Sequence, residues 1–142
     1  MTAKELMKQC EAEEKELKFR EFSSETALAI GMALIEEAKK RDNKICIDIA
    51  IAGRRLFHYS SDGNAVSNDI MIERKKKTAM HTGHSSLWAH YMLEDCGMNI
   101  KEKWALEPSE YAQVGGAFPI RLENCQTVIG LSLIHISEPT RH

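Results

Sequence analysis

Long apolar runs are missing from this chain of 142 residues, and aromatic side chains make up only 6% of it. No stretch approaches the roughly 18 consecutive apolar residues of a membrane span, and the N-terminus lacks the apolar core of a secretory signal. We therefore expect a cytoplasmic protein with no membrane partner. The length is typical of a single domain with one hydrophobic core.

Cysteine and net charge are also low. The four cysteines are far apart and form no C-x-x-C pair, so they fit neither a zinc motif nor a disulfide framework, and we expect no metal site. The formal net charge is -2, and the basic run at residues 74–77 has no aromatic residues interleaved with it. Both features argue against nucleic acid as a partner.

Helical periodicity of the apolar residues predicts four helices. The first covers residues 3–18, and the second follows an N-cap at Ser23 or Ser24 and ends at the polar KKRDN. The third follows the polar SSDGNAVSND and is interrupted by Gly83, and the fourth ends at Gly97 as a C-cap.

Period-two alternation predicts two hairpins. In KICIDIAIAG one face carries Ile45, Ile47, Ile49 and Ile51, and RRLFHYS returns after a tight turn at Ala52-Gly53, with Leu56 and His58 on a shared face. In GAFPIRLENCQTVIG, Pro119 cannot donate to a ladder, so its strand lies at an edge or begins near that residue. The order of elements implies an α+β domain in which helices flank a mostly antiparallel sheet.

Four segments, in the same order, resemble the UPF0303 family, a branch of the haem-degrading-domain (GlcG/HbpS-like) superfamily. They are ALAIGMALIEEAKK, IDIAIAGRRLFHYS, NDIMIERKKKTAMHTGHSS and YAQVGGAFPIRLENCQTVIG, and the resemblance extends over about residues 5–130. It implies a profilin-like three-layer α/β/α sandwich and a compact homo-oligomer. The superfamily includes haem and corrinoid binders, so haem or a related tetrapyrrole is a candidate cofactor, although the UPF0303 branch has no agreed activity.

The ending of the chain departs from that family. After Gly130 relatives continue through a further strand, a turn and a closing helix, whereas this chain reads LSLIHISEPTRH and stops. That string resembles translated sequencing-adapter read-through, so we expect one domain over residues 1–130 and a non-native tail over residues 131–142. We expect residues after Gly130, at least those beyond Ile136, to pack poorly and to leave part of the sheet or an oligomer interface uncovered. We also expect a chain ending at Gly130 to be about as stable.

The basic helix has two interpretations. Ile72 and Ala79 share one helical stripe and Lys75 and Lys76 fall between them, so at least one lysine lies along the buried face. Its aliphatic stem can cover apolar surface while the ammonium reaches water. Alternatively, the cation lines a pocket together with Arg74 and binds a carboxylate or a propionate.

The HTGHSS segment, which follows the basic run in the sequence, adds polar groups. His84 is a candidate axial ligand or acid/base group, because an imidazole titrates near neutrality, and its alternative role is a hydrogen bond within a loop. Ser85 or Ser86 is a candidate N-cap of the next helix, whose N-terminus would also suit an anion. The H-x-x-H spacing lacks a nearby third ligand, so we assign no metal here.

Candidate ligand contacts lie where the basic helix, the turn after it and the Gly115-Gly116 pair converge. The glycines allow close backbone approach, and an aromatic side chain would supply an apolar wall. The full set is Arg74, Lys75, Lys76, His84, Ser85, Tyr111, Gly115, Gly116 and Phe118, with no catalytic residue assigned. Three functions remain open: binding of haem or another small anionic ligand, catalysis on a small organic acid, and an oligomeric scaffold without a small ligand.

Overall fold

The computed structural model describes residues 1–16, 18–51, 54–122 and 125–137, with the backbone alone at residues 18, 121 and 125–137. The turn predicted at Ala52-Gly53 lies outside the described residues. In chain order the elements are α1 (Ala3–Glu16), β1 (Lys18–Phe19), α2 (Ser24–Lys40), β2 (Asn43–Ile51), β3 (Arg54–Ser60), α3 (Val66–Thr82), α4 (Ser86–Cys96), α5 (Ile100–Trp104), β4 (Ala117–Leu122) and β5 (Cys125–Ser137).

The strands form a single five-stranded sheet in the order β1-β4-β5-β2-β3. All neighbours are antiparallel except β1 and β4, which run parallel. Helix α2 packs on one face of the sheet, and α3 packs on the other, where α4 and α1 follow it. The predicted α+β class and the three-layer α/β/α arrangement are confirmed. Within the described ranges, no helix combines the length and the apolar character needed to cross a membrane.

The core beneath α2 is built from the isoleucine face of β2. Ile45, Ile47 and Ile49 are buried against Ala27 and Ile35 of α2, as the alternation predicts. The helix begins with a capping box in which the Ser23 hydroxyl accepts a hydrogen bond from the backbone of residue 26. Periodicity and capping therefore agree on where this layer lies.

Strands β2 and β3 pair as the predicted hairpin, with an irregularity in β3. Ile49 pairs with Phe57, and the next residue of β2, Ala50, pairs with Arg55, so one extra residue is accommodated in β3. This β-bulge turns Arg55 to the face that carries His58. Leu56 instead packs with the α2 core, so the prediction that Leu56 and His58 share a face is wrong.

Glycines end both helices of the opposite layer. Helix α3 ends at Gly83, whose φ of 71° lies in the left-handed region, and α4 ends at Gly97 with a φ of 68°. The Ser85 hydroxyl accepts from the Trp88 backbone N–H at 3.0 Å and caps α4. The glycine ends confirm the sequence prediction, and of the two serines predicted as the cap of α4, Ser85 is the one that caps it.

Strand β5 continues well past Gly130 and lies in the centre of the sheet. Residues 131–137 pair with β2 from Ile49 to Asn43, so the expectation that this stretch packs poorly is wrong for its backbone. Ending the chain at Gly130 would remove hydrogen bonds from the middle of the sheet. Pro119 pairs with Gly130 on one side, and β1 reaches only the last two residues of β4, in agreement with the edge position predicted for the proline.

Candidate functional site

A buried carboxylate organises the face of β2 opposite the isoleucines. The Asp48 side chain is 0% exposed, and its carboxylate lies within hydrogen-bond distance of three charged or titratable side chains. Lys76 Nζ lies 2.8 Å from Oδ1, Arg55 Nε lies 2.7 Å from Oδ2, and His58 Nδ1 lies 2.8 Å from Oδ2. A carboxylate removed from water requires such partners, because burying it without them would be very costly.

Glu73 of α3 contacts two of these cations, Arg55 and Lys76. Its Oε1 accepts from the Arg55 guanidinium at 2.8 Å and from Lys76 Nζ at 2.7 Å. Burial by itself raises the pKa of Asp48 and of Glu73, but the hydrogen bonds and charges of their partners outweigh it and hold both pKa values below the ordinary range. Both carboxyl groups are therefore ionised at neutral pH.

Asp69 of α3 holds the other edge of this network. Its Oδ1 lies 3.2 Å from His58 Nε2 and 3.3 Å from Cys46 Sγ. Burial, reinforced by the nearby carboxylates, raises the pKa of the Cys46 thiol to about 11, so Cys46 is a protonated donor to Asp69. His58 thus lies between two carboxylates, Asp48 and Asp69, and has one ring nitrogen on each.

An open cleft of about 420 Å³ lies outside this network, between β3, α3 and the segment before β4. Its volume is within the usual range of small-molecule sites. Arg74 forms part of the wall: its guanidinium donates to the Pro108 carbonyl at 2.7 Å, and its buried Nε has no hydrogen-bond partner in the described part of the chain. The lining residues are Arg55, His58, Asp69, Ile70, Glu73, Arg74, Lys77, Ser109 and Glu110.

The predicted lysines have different environments. Lys75 is only 3% exposed, and its Nζ donates to the Gly115 carbonyl at 3.2 Å. Burial lowers the pKa of Lys75 to about 8. Lys76 is the cation that meets carboxylates, and both of these, on Asp48 and Glu73, belong to the protein itself. The prediction that a lysine lies on the buried face of α3 is confirmed.

The His84-Ser85 turn faces α1. Glu14 of α1 is buried, and its Oε1 lies 2.9 Å from His84 Nδ1 and accepts from the Ser85 backbone N–H at 3.1 Å. The imidazole also stacks on Trp88, with ring centroids 3.9 Å apart. His84 is thereby held in place by an acid and an aromatic ring of the same chain, away from the cleft.

The remaining predicted residues lie in three different places. Gly116, with a φ of 119°, leads into β4 beside Lys75 and α4, where the Ser86 hydroxyl accepts from the Ala117 N–H at 3.0 Å. Tyr111 lies next to the cleft: its carbonyl oxygen is 3.5 Å from the Arg74 guanidinium. Phe118 is two residues before Ile120 on β4 and therefore shares its face of the sheet, the face covered by α2, so Phe118 lies away from α3 and the cleft.

The structure therefore brings Lys75, Gly115 and the start of α4 together, but groups His84 and Phe118 elsewhere. Sequence analysis missed Asp48, Arg55, His58 and Asp69. The available signal was the charged residue inside an isoleucine strand, because a carboxylate at a buried position must have charged partners. Identifying those partners required the register of β3 and the rotation of α3.

Comparison with known families agrees with this fold. The model of a family described as haem degrading protein HbpS-like matches residues 22–134. A UPF0303 protein of Edwardsiella ictaluri is 34% identical over 94% of this chain and 85% of its own length. A UPF0303 protein of Streptomyces coelicolor is 35% identical over 87% of this chain and 75% of its own length.

Solved structures give the same result. The crystal structure of the Ybr137w protein is 29% identical, superposes with a TM-score of 0.83, and covers 92% of this chain and 78% of that one. The crystal structure of a double mutant of Streptomyces reticuli HbpS is 18% identical with a TM-score of 0.64, over 80% of this chain and 73% of that one. At this lower identity the second likeness concerns the fold alone.

Proposed function

The chain belongs to the HbpS-like family, and we propose that it binds a small anionic ligand in the cleft between β3, α3 and the segment before β4. Haem or a related tetrapyrrole, held by its propionates, is the specific candidate. The family description supports haem, and two cations of the cleft lining, Arg74 and Lys77, support an anion.

The observation that carries the proposal is the state of Arg74. Its Nε is buried at the cleft wall without an acceptor in the described part of the chain, although unsatisfied buried donors are rare in folded proteins. Leaving such a donor unpaired costs about 1 to 3 kcal/mol. A carboxylate seated beside the guanidinium would supply an acceptor for the donors that the Pro108 carbonyl does not use.

Lys77 provides a second cation at the same cleft. Its side chain is 45% exposed, and its nearest carboxylate, on Glu110, is 3.8 Å away. That surface pair is weak, because water screens it and holding long side chains together costs entropy. A ligand carboxylate can therefore replace Glu110 as the partner of Lys77 at little cost.

The cleft is open, so a tetrapyrrole would be enclosed only in part. The other residues predicted as ligand contacts remain proposals: His84 and Ser85 form a second location beside α1, Gly115 and Gly116 lie before β4 near Lys75, and Phe118 lies on the α2 face of the sheet. Lys76 is a weaker candidate than Arg74, because a ligand would have to compete with Asp48 and Glu73 for its ammonium.

Hemin titration followed at the Soret band tests the proposal. We expect Lys77→Ala and Arg74→Ala each to weaken hemin binding by about 1 to 3 kcal/mol, the usual cost of a lost charge-assisted bond. Lys101→Ala, which removes an exposed cation on α5, serves as the matched control and should bind normally. If His84→Ala alone weakens binding, the ligand lies at the second location instead.

Lack of hemin binding by the parent protein would leave the two other functions, an enzyme for small organic acids or an oligomeric scaffold.

Assembly into a homo-oligomer is part of the proposal in either case. Two large apolar side chains of α2, Leu28 and Met32, are 46% and 48% exposed, and a second copy of the chain would cover them. Light scattering of the parent protein and of Met32→Glu measures that assembly. A cytoplasmic location and a non-native origin for residues 131–142 stay predictions.

A further inference from the structure

We infer that Cys46, His58 and Asp69 form a binding site for a divalent transition-metal ion of the zinc class. The site is independent of the ligand proposed above, since it needs neither Arg74 nor Lys77. Its three donor atoms, a sulfur, an imidazole nitrogen and a carboxylate oxygen, all lie within 4.8 Å of one another.

Two of the three distances between donor atoms fit a tetrahedral ion, and the third is no longer than 4.8 Å. Metal bonds of about 2.0 to 2.3 Å at tetrahedral angles place neighbouring ligand atoms about 3.3 to 3.6 Å apart. Asp69 Oδ1 lies 3.2 Å from His58 Nε2 and 3.3 Å from Cys46 Sγ. Outward shifts of a few tenths of an ångström therefore convert two hydrogen bonds into a coordination sphere.

Asp48 supplies the support that a metal-binding histidine requires. A coordinating imidazole almost always donates its other N–H to a carboxylate or a carbonyl, which fixes the ring and its tautomer. His58 Nδ1 lies 2.8 Å from Asp48 Oδ2, and Lys76 and Arg55 hold that carboxylate in turn. The arrangement leaves Nε2, the nitrogen beside Asp69, as the one directed to the metal.

The three ligands come from three elements, which explains why no spacing motif reveals them. Cys46 is on β2, His58 on β3 and Asp69 on α3. Cys46 is fully buried, whereas His58 and Asp69 line the cleft, so a fourth position would open toward solvent. Three protein ligands with one open position is the pattern of zinc sites that bind water or substrate.

Binding must release one proton. The thiol of Cys46 becomes a thiolate when the Sγ–metal bond forms, and its proton leaves to solvent, while Asp69 binds through its carboxylate and His58 through the neutral ring. The charges of the dication, the thiolate and the carboxylate then sum to zero. This balance suits a site in which one ligand is completely buried.

Titration of the full chain with Co²⁺ alone tests the site, because a thiolate bound to Co²⁺ gives a charge-transfer band and a tetrahedral ion gives intense visible bands. The parent protein should show both. Cys46→Ala should abolish the charge-transfer band, and Asp69→Asn should keep that band but weaken Co²⁺ binding at least about tenfold, in the range known for altered metal environments. Added Zn²⁺ should displace Co²⁺ from the site, so that both absorption bands disappear.

Matched controls separate this site from others. Cys96→Ala removes a thiol that lies on α4, and it should leave the spectrum unchanged. Arg74→Ala should also leave it unchanged even if it abolishes hemin binding, so the two proposals fail separately. A charge-transfer band that survives in Cys46→Ala, or a parent protein without one, overturns the metal site. If Cys46→Ala does not fold, unchanged Co²⁺ affinity in Asp69→Asn overturns it equally.

Discussion

The two faces of β2 differ completely although alternate residues of one strand form them. On the α2 face, Ile45, Ile47 and Ile49 pack into an apolar core. On the α3 face, Cys46 contacts Asp69, and Asp48 contacts Lys76 and His58. On the first face, different apolar side chains can be accommodated as long as they pack well. On the second face, each buried charged group needs its partner. The comparison shows how a strand can stabilise a fold with one set of residues and position reactive groups with the other.

The stability lost on substitution therefore differs between the two faces. Apolar contacts are numerous and individually weak, so a core loses stability in proportion to what is removed or overfilled. A buried ionic network behaves otherwise, because removing one member leaves its partners with uncompensated charge. Substitutions that act on one face at a time can separate the two contributions.

Breaking the polar face should have the largest effect. Asp48→Ala removes the shared partner of Lys76, Arg55 and His58, and we expect the free energy of unfolding to fall by about 3 to 5 kcal/mol. Urea denaturation followed by circular dichroism measures it. Glu37→Ala, which breaks an exposed ion pair with Arg41, is the control and should cost less than about 0.5 kcal/mol. Equal losses in the two variants would contradict the central role of Asp48.

Overfilling the apolar face should cost less. A Cβ added at Gly31 would overlap the ring of Phe57, so Gly31→Ala should destabilise the protein by about 1 to 3 kcal/mol despite the better helix propensity of alanine. The same unfolding measurement applies. Combining it with Phe57→Leu relieves the overlap, so the double variant should lose clearly less than the sum of the two single variants. Additive losses would show that the ring does not limit position 31.

A buried cation on the polar side gives a pH dependence with a defined sign. Burial lowers the pKa of Lys75 from 10.5 to about 8, so between these values the unfolded chain binds more protons than the folded one. Stability should therefore rise with pH across this window, by at most about 1.4 kcal/mol per pH unit, whereas below pH 8 the full cost of burying the cation is present. Chemical denaturation at a series of pH values measures the slope. Lys75→Met should reduce the rise, and an unchanged slope would contradict the assignment.

Much of the fold could be predicted from sequence, because its signals are local. Ser23, Ser85, Gly83 and Gly97 mark helix ends by rules that involve only their neighbours. The alternating isoleucines identify β2 and its buried face. The two-residue strand β1 and the extension of β5 past Gly130 were not predicted, since both depend on pairing between distant segments.

The candidate site divides along the same line. The sequence by itself determined the order of the main helices and hairpins and a lysine on the buried face of α3, because periodicity carries that information, and four of its segments carried the family resemblance. Only the tertiary structure decided that Asp48 meets Lys76, and that Cys46, His58 and Asp69 lie together. Those contacts depend on strand register, on the bulge that turns Arg55 and on the rotation of α3. Each is set by packing of the whole core, so no local pattern encodes it.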